Sequence, residues 1–203
     1  MAKPAPDWDE RFRGDEALYG LAPSGFVIDC SLALPHGARV LCLAEGQGRN
    51  ALALAARGFR VTSLDLSGTA CRQLAERAAA LRLPITVREQ DLGLWSAPEA
   101  AFDAVVAVYA HMPRVLRRDL HGQIVRGLAP GGLVIIEGFR AEQLGRPSGG
   151  PRNLDWLYTE DELRGDFAGF HIDYLATPEV SLDEGRGHQG PGALIRFRAR
   201  RQG

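Results

Sequence analysis

Val40-Leu41-Cys42-Leu43-Ala44-Glu45-Gly46-Gln47-Gly48-Arg49-Asn50-Ala51 is the stretch whose reading decides the fold. The apolar run from Val40 to Ala44 reads as a strand buried on both faces. Two glycines follow at once, and Ala51-Leu52-Ala53-Leu54-Ala55-Ala56 reads as a packed helix. Strand, glycine turn and helix form the opening unit of an open α/β sheet that binds nucleotides. Without a Cβ, Gly46 and Gly48 can take positive φ and let a ligand approach the backbone.

The next strand is expected over Phe59-Arg60-Val61-Thr62-Ser63-Leu64-Asp65, which puts an acid at its carboxyl end, 19 residues after Gly46. An acid there accepts hydrogen bonds from a ribose diol. Gly46-Gln47-Gly48-Arg49-Asn50-Ala51 fits the dinucleotide pattern as well as that of an adenosyl cofactor. The stretch alone leaves three readings: NAD, S-adenosylmethionine, or a turn with no ligand.

A length of 203 residues with 45% hydrophobic and 24% charged residues suits one globular domain. A net charge of −1 exerts no global pull on nucleic acid or on anionic membrane. The three cysteines, Cys30, Cys42 and Cys71, have no metal-ligand spacing, so no metal site is expected; Cys42 and Cys71 read as small buried hydrophobes. No leader-like apolar segment opens the chain and no run reaches 18 apolar residues. These features lead to the expectation of a soluble, reduced, cytoplasmic protein that acts on a small molecule, as a monomer or homodimer.

Working outward, residues 1–34 are expected to form an N-terminal segment of lid helices before a cofactor-binding domain at 35–203, the two making one compact body. Trp8 to Arg13 reads as a helix capped by Asp7, and Gly25 to Leu34 as a second. Trp8, Arg11, Phe12 and Tyr19 either face inwards over a pocket or pack on the sheet edge as plain core. After the helix at 68–82, capped by Ser67, comes a strand at 85–88, then Gln90-Asp91-Leu92 at its carboxyl end. Asp91 there could accept from an adenine amino group or merely cap a turn. A fourth strand, 101–109, ends in Tyr109-Ala110-His111. Helix 114–128, a sharp turn and a fifth strand, 133–139, follow. A glycine- and proline-rich loop spans 140–155, a capping box opens a helix at Thr159, and strands at 171–180 and 193–200 close the chain. In the last strand Arg196, Arg198 and Arg200 alternate with apolar residues and read as a solvated face. The expected fold is thus α/β: a doubly wound, Rossmann-like, mostly parallel seven-stranded sheet with an antiparallel C-terminal hairpin strand.

The chain resembles a class I S-adenosylmethionine-dependent methyltransferase. The resemblance is carried by Cys42 to Gly48, Asp65, Gln90-Asp91, Phe102-Asp103-Ala104-Val105-Val106 and Leu128-Ala129-Pro130-Gly131-Gly132-Leu133. More narrowly, Trp8-Asp9-Glu10-Arg11-Phe12, Tyr19-Gly20, Gly46-Gln47-Gly48-Arg49-Asn50 and Glu184-Gly185-Arg186-Gly187-His188 are similar to the tellurite-resistance-type branch. The resemblance implies S-adenosylmethionine as cofactor. It implies that Ala44, Gly46 and Gly48 line the methionine side, Asp65 and Leu66 meet ribose and adenine, Asp91 and Leu92 meet adenine, and Tyr109 lies near the sulfonium. Trp8, Arg11, Tyr19, Glu45 and Asn50 complete the candidate cofactor-binding set. Two positions depart from the family. Cys42 stands where an acid is usual, and Glu45 is a candidate to compensate for it. Ala44 replaces a glycine and is expected to be tolerated at negative φ.

Methyl transfer is an in-line displacement that depends on positioning. An alcohol or amine acceptor needs a general base; a thiolate or an oxyanion of tellurium or selenium does not. His111 and His188 are the candidate bases, and Arg140, Arg146, Arg152 and Arg186 could hold an anionic substrate. The expected function is methyl transfer to a small molecule, small anion or thiol. An NAD(P)-binding oxidoreductase and a non-catalytic module that binds the cofactor stand as alternatives.

Overall fold

The structure, a computed structural model, describes residues 6–14 and 17–203. The parts of the expected N-terminal segment at 1–5 and 15–16 lie outside the described residues. Five parallel strands, β1 (Arg39–Leu43), β2 (Arg60–Asp65), β3 (Ile85–Glu89), β4 (Phe102–Val108) and β5 (Leu128–Phe139), are followed by β6 (Phe170–Ala176), β7 (Glu179–Glu184) and β8 (His188–Arg201). The order across the sheet is β3-β2-β1-β4-β5-β8-β6, with β7 paired to β8. Strand β8 runs antiparallel to β5, β6 and β7.

Six α-helices accompany the sheet among the described residues: α1 (Trp8–Phe12), α2 (Gly25–Ser31), α3 (Arg49–Ala56), α4 (Gly68–Ala80), α5 (Arg114–Gly127) and α6 (Glu160–Asp166). Side chains alternate across each strand, so β1 sends Leu41 and Leu43 to one face and Val40 and Cys42 to the other. The first pair packs with Leu120, Ile124, Leu163 and Phe167 of the α5–α6 layer. The second packs with Val27, Leu54 and Leu74 of the α2–α3–α4 layer. Both faces are covered, which is why the central strands are apolar throughout. The chain crosses from β1 to β2 on one side and later returns to β4 on the other. The crevice at the carboxyl ends of β1 and β4 is therefore the topological switch point, where open α/β sheets bind ligands.

The sheet has eight strands rather than the expected seven. The segment expected as one strand over 171–180 breaks at Thr177-Pro178, because proline has no N–H for the ladder. Its second part, β7, pairs with the first half of β8, Glu184 opposite His188, and forms a hairpin separate from the main ladder. The arginine row of β8 also differs from a solvated face. Arg196 Nε lies 2.6 Å from the buried Glu137 carboxylate, and Arg198 lies 3.4 Å from Asp173.

Thr159 caps α6 by accepting from Glu162 N, but the Glu162 side chain does not close the expected capping box. It takes both oxygens to Arg117, Nε at 2.6 Å and Nη2 at 2.8 Å. Arg117 is fully buried and also donates to the carbonyls of Met112, Asp155 and Leu157. Its guanidinium lies over the Tyr158 ring, whose hydroxyl donates to Ala110 O. This pair locks the loop after β4 to the segment before α6.

Leaving one partner of a buried ion pair uncompensated costs about 3–5 kcal/mol, whereas an apolar replacement of both costs far less. Arg117→Ala and Glu162→Ala are therefore each expected to destabilise the protein by about 3–5 kcal/mol. The double variant Arg117→Met/Glu162→Leu should recover most of that loss, as read by urea unfolding.

Candidate functional site

The switch-point crevice is a cavity of about 660 Å³. Every residue expected to hold the cofactor lines it: Trp8, Arg11, Tyr19, Ala44, Glu45, Gly46, Gly48, Asn50, Asp65, Leu66, Asp91, Leu92 and Tyr109. His111 and His188 line it too. Of the four arginines proposed to hold an anion, none lines it. Arg140 and Arg146 are instead paired to Glu179, at 3.1 and 2.7 Å.

The glycine turn is held by two carboxylates. Glu45 Oε1 accepts from the backbone N–H groups of Asn50 and Ala51, both at 2.8 Å. These are amides of the first turn of α3, whose N-cap, Gly48, has no side chain to cap it. Glu45 is buried, and burial pushes its pKa up to about 7, against the pull of those two N–H groups. Asp65 accepts from Gly46 N at 2.7 Å and Ser67 N at 2.8 Å; its pKa is raised, again chiefly by burial. Asp91 accepts from Gly93 N and lies exposed at the rim.

The two glycines have specific reasons. Gly46 has φ +58°, and a Cβ there would meet the Phe12 ring at 3.2 Å. Gly48 has φ +88°, and a Cβ would collide with Leu74 of α4 at 2.1 Å. Close packing against α4, rather than access for a ligand, is what demands glycine at 48. Ala44 is not at negative φ as expected: its φ is +49°, and Tyr109, at the end of β4, has φ +54°. Both strained residues line the cavity.

A buried polar chain fixes Asn50. Its Oδ1 accepts from Ser24 N at 2.9 Å. Ser24 Oγ donates to Glu137 at 2.7 Å, and Glu137 in turn holds Arg196. The N-terminal segment closes over the glycine turn. Asp9 accepts from Ser67 Oγ and Thr69 N at the start of α4, and Leu18 N donates to Gln47. Arg49 ties three pieces together: it donates to the carbonyls of Tyr19 and Ala22 and lies 3.3 Å from Glu184 of the β7–β8 hairpin.

The histidines differ. His111 Nδ1 lies 2.9 Å from Trp156 O, and its Nε2 accepts from Phe139 N at 3.1 Å. Burial pushes its pKa down to about 3. It is a neutral ring with both nitrogens committed to backbone, so taking a proton would break a buried hydrogen bond. His188 Nδ1 lies 3.3 Å from Glu184, and among the described residues no hydrogen bond is seen at its Nε2. Its ring packs on Tyr109, Tyr19 and Phe139, at 4.4, 4.6 and 5.0 Å between centroids.

Phe139, Trp156, Met112 and Leu116 also line the cavity and were not among the candidates. Phe139 and Met112 carried a usable signal, since each sits at or just past the carboxyl end of a strand. Trp156 carried none; it arrives through the Arg117 lock.

Residues 40–132 match the family model described as a methyltransferase domain. That match spans a little under half of the chain, and with the fold it makes the chain similar to class I S-adenosylmethionine-dependent methyltransferases. Among solved structures, TehB from Haemophilus influenzae superposes with a TM-score of 0.75 at 21% identity, over 89% of this chain and 63% of that one. A SAM-dependent methyltransferase from Methanosarcina mazei gives 0.71 at 18% identity, over 89% and 99%. At such identities these likenesses speak for the fold. An uncharacterized protein of Mycobacterium tuberculosis is 28% identical over 175 residues, 80% of this chain and 63% of its own length. The chain thus spans less than two thirds of the curated relatives it matches. No helix among the described residues is long and apolar enough to cross a membrane.

A non-glycine residue in the left-handed region costs about 1–2 kcal/mol, and glycine returns part of that through unfolded-chain entropy. Ala44→Gly is expected to stabilise the protein by about 0.5–1 kcal/mol in thermal or urea unfolding.

Proposed function

We propose that this chain transfers a methyl group from S-adenosylmethionine to a small-molecule acceptor. The observation that carries this reading is Glu45. In dinucleotide-binding folds the pyrophosphate sits at the N-terminus of the first helix. Here a carboxylate already occupies the N-terminal amides of α3, and a phosphate there would meet like charge. With Asp65 and Asp91 in the same cavity, the site suits a cofactor with an ammonium, a sulfonium and a ribose diol. The oxidoreductase alternative loses its phosphate site for the same reason.

Asp65 keeps lone pairs beyond its two backbone bonds and is assigned the ribose hydroxyls. Asp91 and Leu92 are assigned the adenine edge, with Leu66 across from them. Glu45 takes the role left open by Cys42, which is buried within β1 and cannot carry charge there: its thiol pKa is pushed well up by burial. The N-terminal segment, with Trp8, Arg11 and Tyr19, is assigned the lid. The bound cofactor supplies an electrophilic methyl group. His188, which lines the cavity and has Nδ1 held by Glu184, is assigned the acceptance of a proton from an acceptor. His111 holds Trp156 and Phe139 in place.

Isothermal titration should show micromolar binding of S-adenosylhomocysteine and none of NADH; the reverse result sinks the reading. Asp65→Ala should weaken binding of the homocysteine adduct more than tenfold, since a charge-assisted bond contributes roughly 1.5–3 kcal/mol. Binding is also expected to release protons. With its pKa near 7, Glu45 is partly protonated in the free protein at pH 7, and a neighbouring ammonium favours the carboxylate. Titrations at pH 7 in buffers of different ionisation enthalpy should show this release in wild type and not in Glu45→Gln. Release should fade above pH 8, where the carboxylate is already ionised. Weak binding by wild type that Glu45→Gln leaves unchanged would count against compensation for Cys42.

A further inference from the structure

We infer that the acceptor is an uncharged aromatic molecule bearing a weakly acidic hydroxyl, a phenol, and that His188 removes its proton. The inference rests on the methyltransferase reading and deepens it. Its basis is the contrast between the carboxylate-rich glycine turn and the other side of the cavity. There Tyr109, His111, Phe139 and His188 form one ring cluster, with centroids 4.4–6.3 Å apart. Trp156 and Pro151 complete the wall. Phe139 is fully buried behind the others, so the faces on offer are those of the partly exposed Tyr109, His111 and Trp156 rings.

The cations close to it are mostly engaged, although Arg49 Nη2 is buried without a hydrogen-bond partner among the described residues. Arg49 lies over Tyr109 at 5.8 Å but is shared between Glu184 and two carbonyls. Arg11 lies over the faces of Trp8 and Tyr19 on the lid, at 5.3 and 5.7 Å. A small oxyanion has no apolar surface to fill the aromatic wall. It would also exchange full hydration for the exposed Arg11 guanidinium and an Arg49 guanidinium whose charge Glu184 already offsets. A phenol fills the wall, and Arg11 favours the phenolate as it develops.

The acidity follows from the base. Three charged groups act on His188: Glu184 through Nδ1, Arg49 behind Glu184, and Arg11 from α1. Tyr19, Tyr109 and His111 are the titratable groups near its ring. Burial comes first among the causes that hold its pKa below 6.5, so the ring is a neutral, weak base. An alkyl alcohol lies too far above it in pKa for useful proton transfer, whereas a phenol, near 10 as for tyrosine, is within reach of concerted transfer. In that step the phenol O–H bond breaks and its proton goes to His188 Nε2. The oxygen pair forms the O–CH₃ bond, and the pair of the broken C–S bond stays on sulfur. Glu184 then faces an imidazolium.

The test uses the purified full chain saturated with S-adenosylhomocysteine, titrated calorimetrically with p-cresol, 2-naphthol and sodium selenite, and methyl transfer from S-adenosylmethionine to the same three. The two phenols are expected to bind and be methylated, and selenite to do neither. His188→Ala should lower phenol methylation by roughly 100-fold or more while leaving homocysteine-adduct affinity within about threefold, the check that it folds. The wild-type rate should hold through neutrality and fall only at a pH below the ordinary histidine range, as His188 takes a proton. Selenite binding with both phenols excluded, failure of both phenols to bind or react, or full phenol turnover in His188→Ala each overturns the inference. Failure of S-adenosylhomocysteine itself to bind is a different result and overturns the methyltransferase reading instead.

Discussion

The site depends on one carboxylate placed where an open α/β sheet ordinarily exposes bare amides. Glu45 sits one residue past the strained Ala44 and turns back to accept from Asn50 N and Ala51 N. That contact caps a helix whose own N-cap is glycine. It also sets the sign of charge at the crevice. A helix N-terminus attracts anions, and by filling it with its own acid the protein turns an anion site into one suited to cations. The cost is a buried acid near neutrality. Asn50, steadied from behind through Ser24 and Glu137, holds the arrangement in place.

Around this turn the structure builds a closed box from distant pieces. The floor is the glycine turn and the ends of β1 and β4. One wall is made by Arg117, which uses a buried ion pair and three carbonyl contacts to hold the loops that present Met112 and Trp156. The roof is the N-terminal segment and the β7–β8 hairpin, joined where Gly187 N donates to Leu18 O at 2.8 Å and where Arg49 reaches both.

The two histidines show how burial divides residues of one type between roles. Each is a ring in the same aromatic cluster, and each is kept neutral chiefly by burial. His111 spends both nitrogens on backbone and so holds walls together. His188 spends one on a carboxylate and lines the cavity. A proton acceptor needs a free lone pair as well as a suitable pKa, and only the geometry separates the two.

Much of the fold was legible in the chain itself. Apolar runs buried on both faces, glycine between strand and helix, acids at strand ends and capping residues at Asp7, Ser67 and Thr159 are local patterns. Local patterns report elements, their order and the crevice where ligands bind. Long-range pairing decided the rest. The eighth strand came from a proline break and a hairpin partner some ten residues on. The reason for glycine at 48 was Leu74 of another helix. Glu162 left its capping box for Arg117, 45 residues away. The sequence by itself determined a doubly wound α/β sheet and the crevice in which its candidate residues gather. Tertiary structure alone decided the charge of that crevice, which histidine has both ring nitrogens on backbone, and which rings pack beside it. Those depend on which distant side chains share a buried space, and spacing along the chain does not encode that.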